Sequence, residues 1–199
     1  MLKFLGIADF AQFANAYPKF SAEFMQDSGE TEAVVIWLKL CEIAVEEQNL
    51  DLTGLPYSRA KLLSSMVTMR SVSNNSDIEA SLKNCGKLLN KAGVYFAIEP
   101  AIAHSKVRGA LCSYNGHPAI YISSRNKTHD YVWFTILHEI ARLLLHYDPK
   151  QPLVSMEDLA CEGHKDSEAN EYARGFLAVS SKMATLIGLA IEGNIFRKN

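Results

Sequence analysis

The chain has 199 residues, 48% of them apolar and 21% charged, the proportions of an ordinary globular protein with enough mass for a full core. A disordered chain, a collagen and a disulfide-stapled miniprotein are excluded, and the length suits one domain, or one domain with a helical annex. With 20 basic against 22 acidic residues the formal charge is -2, so no direct nucleic-acid contact is expected of this chain.

No apolar run reaches the roughly 18 residues that a membrane span needs. Met1-Leu2-Lys3-Phe4 runs into Asp9 and Gln12 instead of a signal-peptide core, and a cytoplasmic protein without membrane contact is expected. Cys41, Cys85, Cys112 and Cys161 contain no C-x-x-C pair, which reads as reduced structural thiols.

Apolar residues from Leu2 to Tyr17 fall at helical spacing until Pro18 stops them. A loop is predicted over Met25 to Gly29. A second helix is predicted from Thr31 to Gln48, with Val34, Val35, Trp37, Leu38, Cys41, Ile43 and Val45 as its apolar face, and a third from Ser58 to about Arg70. Ser71 to Asp77 is the best linker, and its last residues suit a helix N-cap. The division is therefore a helical annex, 1–72, ahead of a second part, 73–199.

Beyond the linker a helix is predicted from Ile78 to about Ala92, ending at Gly93, followed by a strand over Val94 to Ile98. Lys106 to Tyr114 and Pro118 to Ser123 flank Asn115-Gly116, a dipeptide suited to a two-residue hairpin. The first half reads as all α and the second as α+β.

Tyr131 to Tyr147 is the most informative stretch. On a helical wheel His138, Tyr131, Arg142, Thr135, His146 and Glu139 share an arc of about 100°, while Val132, Trp133, Phe134, Ile136, Leu137, Ile140 and Leu143 to Leu145 fill the rest. A helix so apolar is buried. Ionisable groups on its one polar stripe then need a partner, a metal or neutralisation.

Two readings stay open on these residues. In one, His138, Glu139 and Arg142 form a structural ion-pair cluster. In the other, His-Glu-x-x is the first half of a zincin motif, whose second histidine would stand at position 142. His146 cannot complete it, since eight residues of helix rise about 12 Å. A further helix, Asp166 to about Ala178, turns Asp166 and Asn170 toward the core and Glu168 toward solvent. His164 reads as a surface-loop histidine.

The runs Val107-Arg108-Gly109-Ala110, Ile120-Tyr121-Ile122-Ser123, Trp133 to Ala141, Leu143 to His146 and Glu168 to Ala173 together resemble the ImmA/IrrE metallopeptidase family. The similarity is greatest to the branch forming the C-terminal part of helix-turn-helix regulators and HigA-like antitoxins. The resemblance implies a zincin-like α+β domain with a small sheet, a hairpin and an active-site helix. It implies His138 and Asp166 as metal ligands and Glu139 as the general base. Arg142 stands where the family has a ligand histidine, giving HExxR, and Asp166 stands where it has glutamate, shorter by about 1.5 Å.

A guanidinium has no lone pair for a metal. Zinc is therefore expected to be weak or absent, with Arg142 reaching Asp166 or Glu139 instead. The resemblance then implies a degenerate site in a regulatory, antitoxin-type protein that binds a toxin or a repressor. The alternative is an active zinc endopeptidase in which Glu139 polarises water and Arg142 steadies the oxyanion. Tyr131, Thr135, Asn170 and Arg108 are the expected lining of a peptide or partner groove. Lys106, Arg108, Arg125 and Lys127 give the hairpin region the basic character of an ordinary solvated edge that discourages strand pairing, and by analogy with strand addition at a sheet edge the hairpin is also the candidate peptide-binding rim.

Overall fold

Among the described residues, four short strands bear apolar residues on both faces, and helices cover them. These are β1 (Tyr95–Glu99), β2 (Val107–Tyr114), β3 (His117–Ser123) and β4 (Leu153–Met156), with spatial order β1-β3-β2-β4. The pair β1/β3 is parallel, and β2 runs antiparallel to both β3 and β4. The helices are α1 (Ser28–Glu47), α2 (Arg59–Ser73), α3 (Ile78–Lys91) and α4 (His129–His146), then α5 over 164–178. The computed structural model describes residues 28–178 except 104, 126–127 and 157–162. The predicted helix Leu2 to Tyr17 lies outside the described residues, as do Cys161 and Lys127.

Side-chain alternation sorts the strands into two cores. Phe96, Leu111, Ile120 and Ile122 face one side, where they meet Leu62, Met66 and Met69 of α2, Cys85 and Leu89 of α3, Trp133, Ile136, Leu137 and Ile140 of α4, and Ala173 of α5. Tyr95, Ala97, Ala110, Ala119 and Tyr121 face the other side, against Val34, Trp37, Leu38, Cys41 and Val45 of α1. Among the described residues the result is a mixed α+β fold of three layers, one helix on one face of the sheet and four on the other. The helices of 28–72 share both cores with the strands.

Local chemistry sets the element ends. Ser58 caps α2 by accepting from the Lys61 amide, and Asp77 caps α3 by accepting from the Ala80 amide. Helix α3 closes with the paired bonds of a Schellman motif, Gly93 N to Asn90 O (2.9 Å) and Val94 N to Leu89 O (3.1 Å). The hairpin turns through Asn115 (φ 46°) and Gly116 (φ 80°), the left-handed pair of a two-residue I′ turn, as the dipeptide predicts.

Three expectations are corrected. Ser28 and Gly29 belong to α1, not to a loop; serine suits a helix start, and the apolar period registers only from Val34. Helix α2 runs to Ser73, because the Ser73 hydroxyl bonds the Arg70 carbonyl inside the last turn. The hairpin is not a sheet edge: β2 and β3 are the two inner strands, and β1 and β4 are the outer ones. With their backbone groups paired on both sides, β2 and β3 cannot receive an added strand.

Candidate functional site

Helix α4 lies across the sheet with its polar stripe inward. His138, Glu139, Arg142 and Thr135 are all buried, Glu139 to 0% exposure. Helix α5 brings the second wall. Its Asn170 is buried, while the Asp166 side chain keeps 21% exposure. The sheet supplies the floor through β2 and β4, whose Gly109 and Ser155 are register partners.

Each polar group has a definite neighbour. The Nδ1 of His138 stands 2.9 Å from Asn170 Oδ1. An amide oxygen only accepts, so the imidazole donates from Nδ1. Its Nε2 has no hydrogen-bond partner and stands 3.6 Å from Asp166 Oδ1. Arg142 Nη2 donates to the same Asp166 oxygen, and Arg142 Nη1 lies 3.7 Å from Glu139 Oε2. The Ser155 hydroxyl donates to Glu139 Oε1. One guanidinium thus bonds Asp166 and stands within ion-pair distance of Glu139, whose Oε2 makes no hydrogen bond, with the histidine at the side.

Gly109 makes this packing possible. A Cβ there would lie 2.9 Å from Glu139 Oε1 and 3.1 Å from Tyr121 O, so only a residue without a side chain leaves room for the carboxylate. Electrostatics follow the geometry at Asp166. Burial pushes its carboxyl up, but the His138 ring and the Arg142 guanidinium outweigh that and hold it below its ordinary range. One turn farther along α4, burial lowers the His146 imidazole against the opposing pull of Glu168.

The structure joins four of the sequence-derived site residues directly: His138, Glu139, Arg142 and Asp166. Asn170 joins through the imidazole. Thr135 is buried but turns its hydroxyl to the Tyr131 carbonyl at 3.0 Å, a bond within its own helix that leaves no hydrogen for a ligand. Tyr131 is half-buried at the start of α4. Arg108 sits where the β2/β4 register shifts, with its Nε enclosed and without a hydrogen-bond partner. None of the cluster's hydrogen bonds or ion pairs includes it.

Ser155 and Gly109 were not legible as site residues. Their only signals were a lone serine in a short apolar run and a glycine inside a strand, which marks a close approach without saying to what. His164 opens α5 instead of lying in a loop. Its side chain is 86% exposed, as a surface position requires.

The inner cluster presents two candidate metal donors. A catalytic zinc needs about three protein ligands, and the donors here are His138 Nε2 and Asp166, the latter already bonded to a guanidinium that cannot coordinate. Among the described residues, no three His, Cys, Asp or Glu side chains are arranged to enclose a metal. Glu139 is buried, with one oxygen held by Ser155 and the other 3.7 Å from Arg142. Among the described residues no helix is long and apolar enough to cross a membrane. Compared with known proteins, the chain matches no family model, no curated protein and no solved structure.

Proposed function

We propose that this chain is a cytoplasmic regulatory protein of antitoxin type, with an ImmA/IrrE-like, zincin-like domain whose metal position has been taken over by an arginine. It acts by binding a protein partner, a toxin or a repressor, and not by cleaving one. The observation that carries this reading is the bond from Arg142 to Asp166, the carboxylate that the resemblance assigns to the metal. A fixed organic cation there neutralises the buried acids and leaves no Lewis acid to polarise a carbonyl or a water. The buried, Ser155-bonded state of Glu139 supports the same reading.

The test is to identify the partner by copurification from the native host and then compare its affinity for the wild-type protein and for Glu139→Gln. Affinity equal within about threefold, with the partner intact, is expected. Cleavage of the partner that Glu139→Gln abolishes would show an active endopeptidase instead.

A further inference from the structure

The outer face of helix α2 departs from the polar surface that a half-buried helix normally shows to water. Among the described residues three large hydrophobic side chains are exposed, and two of them, Leu63 (41%) and Val67 (78%), stand one turn apart on α2. An exposed valine gains nothing from packing and is a poorer helix former than alanine, so its place here points to a contact made from outside the chain. Arg59 and Arg70 bracket the pair. At 100° per residue Arg59, Leu63, Val67 and Arg70 fall within an arc of about 80° and span about 17 Å of helix axis.

The two arginines are held in place without being neutralised. The Arg70 guanidinium lies over the Phe176 ring of α5, 4.9 Å from its centroid, and its donors lie in the guanidinium plane, where stacking does not use them. Its Nε is enclosed and makes no hydrogen bond. Arg59 is exposed at the start of α2, close enough to Tyr172, one turn before Phe176, for its charge to favour the ionised phenol. No carboxylate pairs with Arg59, Lys61 or Arg70 among the described residues. Charge is uneven on a larger scale too: residues 59–91, which include α2 and α3, hold six basic side chains against Asp77 and Glu79, in a chain whose formal charge is -2.

We propose that the stripe Arg59, Leu63, Val67 and Arg70 docks an acidic amphipathic helix of the partner protein, with two apolar residues one turn apart at its centre and a carboxylate near each end. The apolar residues rest on Leu63 and Val67, and each carboxylate takes the fork of one arginine. A second copy of this chain does not fit. Two α2 helices pairing through Leu63 and Val67 would set arginine against arginine at both ends, in the parallel and in the antiparallel sense alike. A nucleic-acid backbone would satisfy the arginines but leave Leu63 and Val67 against phosphates. The proposal deepens the function proposed above and rests on it in one respect, that the partner is a protein.

The experiment is fluorescence anisotropy of the full chain with a labelled helical peptide. The peptide carries two leucines four residues apart, with a glutamate four before the first and another three after the second, the spacing of the α2 stripe. A peptide with lysines in place of the glutamates and a duplex DNA of random sequence are the controls. Saturable binding of the glutamate peptide is expected, weakened about tenfold by Val67→Gln, the worth of burying a valine, and at least as much in the lysine peptide. Val67→Gln alters an exposed side chain and is expected to leave the urea midpoint unchanged. No saturable binding of the glutamate peptide, or equal binding by Val67→Gln, would overturn the proposal. Duplex DNA bound in preference to the peptide would assign the face to nucleic acid and overturn it as well. A copurified partner that binds Val67→Gln as tightly as the wild type would overturn this surface alone, whereas peptide binding together with partner cleavage that Glu139→Gln abolishes would uphold the surface and overturn the binding-only reading.

Discussion

Glu139 and Gly109 occupy one another's space: the carboxylate of the helix lies within 2.9 Å of where a strand side chain would begin. Gly109→Ala therefore displaces the Glu139 oxygen that accepts from the Ser155 hydroxyl. Overpacking of this kind costs about 1–3 kcal/mol. A lower urea midpoint with an unchanged slope is the expected result, and stability equal to wild type would show that the carboxylate has room to move.

Among the described residues the Arg142 guanidinium is the permanent cation paired with both carboxylates, hydrogen-bonded to Asp166 and 3.7 Å from Glu139. Arg142→Met fills the same volume and leaves Glu139 buried without a counter-charge, which costs about 3–5 kcal/mol for a fully buried pair. Asp166 is partly exposed, so the lower end, about 3 kcal/mol, is expected. Adding Glu139→Gln and Asp166→Asn to that variant removes the stranded charges and is expected to restore much of the loss. Chemical denaturation of the single and triple variants checks both directions.

The pH dependence has a definite sign. Asp166 is held below its ordinary value of 3.8, so the unfolded chain takes up a proton before the folded one does. The stabilisation is then complete above the unfolded value and is lost as pH falls toward the folded one. Wild-type stability is expected to decline below about pH 4–5, and Asp166→Asn is expected to flatten that part of the decline. An identical acid limb in the variant would mean that Asp166 gains nothing from Arg142 and His138.

Much of this organisation was legible in the sequence, for reasons specific to each element. The stripe on α4 was readable because a helix apolar over most of its surface has one place for charge, and the structure buries His138, Glu139 and Arg142 there. The resemblance, with charge, offered Asp166 or Glu139 as the partner of Arg142, and the structure gives the hydrogen bond to Asp166. The hairpin turn was written in Asn115-Gly116. The sheet order was not legible, because the parallel pairing of β1 with β3 is a contact between segments far apart in sequence. Strand β4 was missed for a different reason: four residues beginning at Leu153 are too few for alternation to register. With β4 went Ser155, and with it the floor under Glu139.

Zinc binding at His138 tests most directly whether Arg142 has displaced a metal. The comparison is between the wild-type protein and Arg142→His. Without Arg142→His, no zinc is expected in metal analysis or calorimetry; with it, one equivalent is expected, held through His138, the new imidazole and Asp166, and lost on His138→Ala. One tightly held zinc in the protein that keeps Arg142, released by His138→Ala, would contradict the replacement of a metal by Arg142.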